Sequence, residues 1–238
     1  MTNLQRVKSV ARTLLMLDIK GTKFSPAIVK HPFTDSGITG VRSEDGNVQL
    51  LRIAEDADDR FQWQMYIRKK IDDAQNVFEI YSMITKPYKL TFLKFIYPHL
   101  SKTDMSRLLA RAWTESEAPN QDVNVSKAKL VSMFKSADRS SLMDEDDRAK
   151  FEGMDEVVTV YRGVTAYNAK NVLALSWTTK REVAEWFAHR FGESGTVYVA
   201  RIDKAHVYAF FGGRGEEELI VNPAYLMNVH KAENTMDI

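Results

Sequence analysis

The sequence predicts an α+β protein, a helical N-terminal region followed by a mostly antiparallel β-sandwich core. Three observations predict it. From Asp56 to about Gly153 apolar residues recur at steps of three and four, the spacing of one helix face. After Gly153 the period switches to two, and β-branched and aromatic residues gather in short runs divided by Gly, Pro and Lys/Asp. One helical stripe interrupts those runs, and sets of strands beside segregated helices are the pattern of an α+β fold.

The expected organisation has three parts. Residues 1–55 hold an N-terminal helix and a hairpin, 56–153 a helical lobe, and 154–238 a β-rich core, with lobe and core forming one domain. A chain of 238 residues is long enough for one large domain or two small ones. With 44% hydrophobic and 27% charged residues, the composition is that of a globular protein. A formal net charge of +1 supplies no global footprint for nucleic acid or membrane. The absence of cysteine excludes disulfides, thiolate metal sites and a cysteine nucleophile. The Leu14–Leu17 cluster is too short for a signal peptide, and no later stretch has the length of a bilayer span, so a cytoplasmic location is expected. Five scattered histidines show no ligand spacing, so no metal is expected.

Val7 to Leu17 reads as a short amphipathic helix with Val7, Val10, Ala11 and Leu14 along one stripe. Residues 21–40 read as loop. Around Asp45-Gly46, which favours a tight turn, the apolar residues Ile38, Val41, Val48, Leu50, Leu51 and Ile53 suggest a hairpin. Trp63, Ile67, Ile71, Ala74, Phe78, Tyr81 and Ile84 make one helical stripe that Pro87 stops. Leu90–Tyr97 is a second apolar segment. Ser101 with Asp104 reads as a capping box, Ser126 as another cap, and the acidic run Asp144–Asp147 as the first turn of a helix. Trp113, Glu115, Glu117 and Asn120 form a polar-aromatic cluster that reads as a solvated helix end or as a group reaching the core. Strands are expected over Val157–Tyr161, Asn171–Ser176, Thr196–Ile202, His206–Phe211, Glu217–Val221 and Tyr225–Val229. Between the second and third, Thr179 and Glu182 suggest the capping box of a helix that buries Val183, Ala184, Phe187, Ala188 and Phe191.

The chemistry-bearing stretch is Gly212-Gly213-Arg214-Gly215-Glu216-Glu217-Glu218, which delivers three carboxylates into an apolar strand. Strand alternation puts Glu216 and Glu218 on one face, two strand rises or roughly 7 Å apart, and Glu217 on the other. A carboxylate turned inward requires a partner or a shifted pKa, whereas a solvated edge strand with charged gatekeepers requires neither. Two more elements stand near strand ends: Tyr161-Arg162-Gly163 and Ser176-Trp177-Thr178. Arg162 can fork onto phosphate oxygens or pair with an acid such as Asp155. Ser176 has no His-Asp partner nearby in sequence, so it is not read as a nucleophile.

An arginine at a strand end, Ser-x-Thr on the next strand and Glu-x-Glu after a glycine-containing loop resemble the R-S-E class of mono-ADP-ribosyltransferases. Glu218 before Leu219 and Ile220 matches the family's last glutamate before two aliphatic residues. Phe187 and Arg190, an aromatic and then an arginine on the intervening helix, resemble the clostridial binary-toxin branch. The match covers roughly Val157 to Val221, and Trp177 departs from the small residue usual there. The resemblance implies a β-core of the ADP-ribosyltransferase type with NAD as co-substrate and no metal. It implies Glu218 as the anion beside the ribose and Glu216 as the group orienting and deprotonating the acceptor. Ser176 would hold Glu218, and Arg162 would contact phosphate or brace the ribose side. Gly163 would approach the carboxamide, Phe187 would face the nicotinamide, and Arg190 would add a phosphate contact. Phe211 and Arg214 fall in the loop that recognises the acceptor. The implied function is transfer of ADP-ribose to an unidentified protein, at arginine, by a phage or bacterial effector. An NAD glycohydrolase and a silent relative, serving as a binding module or virion component, are the alternatives.

Overall fold

The computed structural model describes residues 1–42, 46–192 and 194–233, without the side chains of Phe191 and Arg214. The chain is α+β and divides into two compact units, Met1–Pro119 and Asn120–Ile238.

In the first unit, α1 (Leu4–Leu15) begins earlier than the apolar stripe suggests, because the Asn3 side chain accepts the Arg6 N–H at 3.1 Å. Its inner face is Val7, Ala11 and Leu15. Within the stretch expected as loop, β1 (Lys20–Gly21) and β2 (Val29–Lys30) form a two-residue antiparallel ladder. The expected hairpin is β3 (Thr39–Arg42) with β4 (Val48–Leu51), in register from Thr39↔Leu51 to Arg42↔Val48. Gly46 has φ +87°, which glycine adopts freely, while Asp45 lies outside the described residues.

The single stripe from Trp63 to Ile84 is two helices, α2 (Ala57–Asp73) and α3 (Val77–Ser82). Ala74 turns extended at ψ 131°, and the Asn76 side chain restarts the helix by accepting the Phe78 and Glu79 N–H groups. The break shifts the helical phase, so Val77 and Ile80 are buried in place of Phe78. Next come α4 (Lys89–Ile96) and α5 (Lys102–Glu115). Ser101 caps α5 by accepting the Asp104 N–H at 3.1 Å, but the box is not reciprocal. The Thr2 hydroxyl stands between, accepting the Ser101 N–H and donating to the Asp104 carboxylate.

The second unit opens with α6 (Lys127–Ser136), α7 (Arg139–Leu142) and α8 (Glu145–Glu152). Ser126 caps the first of these, as expected, and in the acidic run expected as a first helical turn Asp144 is the cap of the last. The expected boundary at residue 153 is not where the compact units part. Helices α7 and α8 pack on the sheet, so they belong with it.

The strands are β5 (Val157–Val164), β6 (Ser176–Thr178), β7 (Thr196–Asp203), β8 (Val207–Phe211), β9 (Glu218–Val221) and β10 (Met227–Lys231); α9 (Arg181–His189) follows β6. They pair antiparallel in the order β10-β7-β5-β6-β9-β8. The pairing gives one six-stranded ladder where a sandwich of separate sheets was expected. Its halves meet at a single residue pair, Tyr161↔Thr178, whereas β5 pairs β7 over its whole length.

The second strand starts five residues later than expected, because the backbone donors before it go elsewhere. The Ala174 N–H bonds the Val172 carbonyl, and the Leu175 N–H bonds the Asn120 side chain. Among the described residues no helix is long and apolar enough to cross a membrane.

Candidate functional site

Three polar residues far apart in sequence meet where the two halves of the sheet join. Strand β6 pairs β9 antiparallel, with Ser176 opposite Ile220 and Thr178 opposite Glu218. Across that pair the Ser176 hydroxyl donates to Glu218 Oε1 at 2.5 Å. Glu218 is 9% exposed, so its carboxylate is an inward-facing charge. Arg162 on β5 donates an Nη to the Ser176 carbonyl at 2.6 Å, and its Nε is buried without a hydrogen-bond partner among the described residues. Burial pushes the Arg162 guanidinium down to about 10, and the Glu218 charge acts against that shift. With one Nη on a backbone carbonyl and Nε sealed, the fork is turned into the protein. Arg162 therefore braces the strand carrying Ser176 rather than presenting an open bidentate clamp.

The alternation expected for the three glutamates fails at its first step. Strand β9 begins only at Glu218. Residues Gly213–Gly215 form a 3-10 turn, Glu216 has helical backbone angles (φ −80°, ψ −17°), and Glu217 has φ +43°. The pleat therefore does not set the relation between Glu216 and Glu218. It is set by hydrogen bonds from the segment just after β6. Thr178 Oγ1 donates to the Glu216 carbonyl at 2.7 Å, and the Thr179 N–H donates to the Glu217 carbonyl at 3.3 Å. Thr179 Oγ1 donates to Glu217 Oε2 at 2.6 Å, and Lys180 Nζ stands 3.1 Å from Oε1. The Thr179 hydroxyl, with Lys180, holds the Glu217 carboxyl below the usual range. Thr179 is consequently not the cap of α9, whose N-cap position is Lys180 with no side-chain bond. The other end of the turn is held from α8, where Asp147 Oδ1 accepts the Gly212 N–H at 2.9 Å.

Helix α9 lies against β5 at Gly163. A β-carbon there would stand 2.2 Å from the Ala184 carbonyl oxygen and 2.6 Å from the Ala188 nitrogen. The missing side chain is thus used by the helix, and Gly163 is neither a turn glycine nor an open cradle. Ala184 and Ala188 are fully buried, while Phe187 is partly exposed, with Trp186 edge-on at 4.9 Å and the Arg190 guanidinium 5.0 Å from its ring centre. The constellation expected from sequence is then only partly one cluster. Arg162, Ser176 and Glu218 are bonded together, Phe187 on the helix that packs over Gly163 pairs with Arg190 just past that helix's end, and Glu216 sits in the turn.

Phe211 is 7% exposed and pairs with Glu218, so its ring is not offered to an acceptor. Both it and Phe210 are buried, because α7 and α8 pack on β8. The side chain of Arg214 lies outside the described residues.

Of the polar-aromatic cluster, Trp113 is buried in α5, and Glu115 is bound to Lys89, Arg111 and the Tyr81 hydroxyl within the first unit. Asn120 instead anchors the segment leading to Ser176, accepting from Leu175 at 3.0 Å and from Asn171 at 3.2 Å. Thr179, Lys180 and Asp147 were not read as site-forming. Their partners lie 38, 37 and 65 residues away in sequence, beyond the reach of any local pattern.

A carboxylate fixed by a hydroxyl beside a desolvated guanidinium is a preorganised negative charge. It can stabilise positive charge developing in front of it without reorganising. Comparison of the chain with protein-family models, with curated proteins and with solved structures found no match.

Proposed function

We propose that the chain is an NAD-dependent mono-ADP-ribosyltransferase of the R-S-E type, with a core of that fold, acting on a protein acceptor at arginine. The observation that carries this reading is the bond of 2.5 Å from Ser176 to Glu218, with Arg162 tied to the same serine's carbonyl. Three residues singled out from separate motifs converge on one buried carboxylate, which supports a working role for it.

The residues present fit the co-substrate at two points. The partly exposed Phe187 ring can face a cationic nicotinamide, and Arg190 can reach an anionic phosphate. Arg162 fits a bracing role. Cleavage of the bond between ribose C1′ and the nicotinamide nitrogen leaves its electron pair on nicotinamide and an oxocarbenium-like ribose. Glu218 stabilises that positive charge. The acceptor nitrogen then bonds C1′ and loses a proton to Glu216, the base that the resemblance assigns, since the neighbouring Glu217 is held by Thr179 and Lys180.

The test is nicotinamide release from NAD, with protein labelling followed by mass spectrometry. Glu218→Gln should lower release by about 10²–10³-fold, the usual cost of one preorganised electrostatic stabiliser, while leaving NAD binding intact. Release close to that of the unaltered protein overturns the assignment. Free release with no labelled protein in a host lysate transfers the reading to NAD glycohydrolase.

A further inference from the structure

The second unit holds a cleft of about 360 Å³ at the other end of the β8–β9 pair from Glu218. Val207 opposite Val221 marks that end, whereas Phe211 opposite Glu218 marks the constellation. The cleft is built from the C-terminal end of α6, the start of α7, and the two 3-10 turns that flank the strand pair. A volume of this size is within the range of small-ligand sites, roughly 300–1,000 Å³.

Its lining is one-sided in chemistry. Lys135, Arg139, His206 and Asn222 supply N–H groups, Tyr208 and Tyr225 supply rings, and no Asp or Glu lines it among the described residues. Lys135 is exposed and makes no hydrogen bond or ion pair among the described residues. Arg139 spends one Nη on the Val207 carbonyl at 2.7 Å and lies over the Phe151 ring, which fixes the guanidinium while leaving other N–H groups for a ligand. Asn222 is likewise fixed, its N–H on the His206 carbonyl and its Oδ1 on the Ala224 N–H, so its amide NH₂ remains. The His206 and Tyr225 rings stack at 3.6 Å and 16°, making a flat wall, and Tyr208 stacks on Phe134 beneath. Two cations and an amide NH₂ with no carboxylate among the described lining residues select an anion, and the paired cations make a phosphate the favoured one. The flat wall selects a ring.

We propose that this cleft binds a phosphate ester of about nucleoside-monophosphate size, its phosphate met by Lys135, Arg139 and the Asn222 amide and its ring set against the His206–Tyr225 wall. The site is separate from the Glu218 constellation and does not depend on its activity.

The test is calorimetric titration of the full chain with AMP, adenosine and inorganic phosphate. AMP should bind saturably, at least about tenfold more tightly than adenosine, and Lys135→Glu should weaken AMP by about tenfold or more. Tyr225→Ala should weaken AMP and leave inorganic phosphate unchanged. Arg190→Ala, at the proposed NAD contact, should leave AMP unchanged. The proposal is overturned if AMP fails to saturate by about 10 mM, or if adenosine binds as tightly as AMP. It is equally overturned if Arg190→Ala weakens AMP while Lys135→Glu and Tyr225→Ala do not, since the ligand then sits at the constellation.

Discussion

A β-carbon at Gly163 has nowhere to go, because the two nearest atoms it would meet, at 2.2 and 2.6 Å, are backbone atoms of α9. Backbone cannot rotate aside as a flexible side chain can. Gly163→Ala should therefore force α9 off β5 and destabilise the second unit by about 1–3 kcal/mol, the usual cost of overpacking. Gly213→Ala is the control, since nothing lies within 4 Å of a β-carbon there. Urea unfolding followed by fluorescence should show a lower midpoint for the first variant and an unchanged one for the second. Equal midpoints for both would mean that the helix accommodates the methyl group. The same residue shows what a motif conceals. The sequence marks Gly163 as a position that must lack a side chain, but a ligand's approach and a helix's approach leave the same mark. Only the three-dimensional position of Ala184 and Ala188 decides between them.

The element that joins β8 to β9 is shaped by contacts rather than by its own preferences. A non-glycine residue at φ +43° costs on the order of 1 kcal/mol or more, and persists when its surroundings over-determine it. At Glu217 those surroundings are Thr179 and Lys180. Thr179→Val keeps the shape and removes the hydroxyl, so the turn should open more often. Losing one partly solvated hydrogen bond of about 1 kcal/mol corresponds to roughly fivefold faster amide exchange over residues 213–217. Hydrogen-exchange mass spectrometry reads this directly, and Thr179→Ser should restore slow exchange. Unchanged exchange in Thr179→Val would show that the turn holds itself. The legibility of each element follows from where its partners lie. The caps at Ser101 and Ser126 bond three residues on and were readable, as was the helix start in the acidic run where Asp144 bonds Asp147. So were the period-two strands, whose faces are fixed locally. The start of β6 and the conformation of Glu216 and Glu217 were not, because Asn120 acts 55 residues away on Leu175 and Thr179 acts 38 residues away on Glu217. No local pattern encodes such a bond.

At the scale of the molecule, two compact units mean that acid can act on one of them first. The first unit encloses His31, 1% exposed, against Trp63 at 5.2 Å and Phe33 at 6.2 Å. Its Nδ1 accepts the Phe33 N–H at 3.1 Å, which places the proton of the neutral ring on Nε2. Nε2 is buried without a well-formed hydrogen bond, although the Leu17 and Leu15 carbonyls are near enough to oppose the shift in part. Burial lowers the His31 pKa from 6.5 to about 4. The folded unit therefore keeps His31 neutral at a pH where the unfolded chain has already taken up a proton. Stability is unaffected by this residue above about pH 6.5, falls as the pH drops from there toward 4, and loses nothing further from it below that. The full loss is on the order of 3 kcal/mol, which is a large part of the stability of a small unit. His31→Phe removes the titration while keeping an aromatic ring against Trp63. Urea unfolding of the first unit at a series of pH values between 7 and 4 should give a steeper loss for the unaltered protein than for the variant. The variant's absolute stability is secondary, since the larger ring also repacks the site. Parallel pH profiles for the two proteins would show that His31 is protonated in the folded state as readily as in the unfolded one.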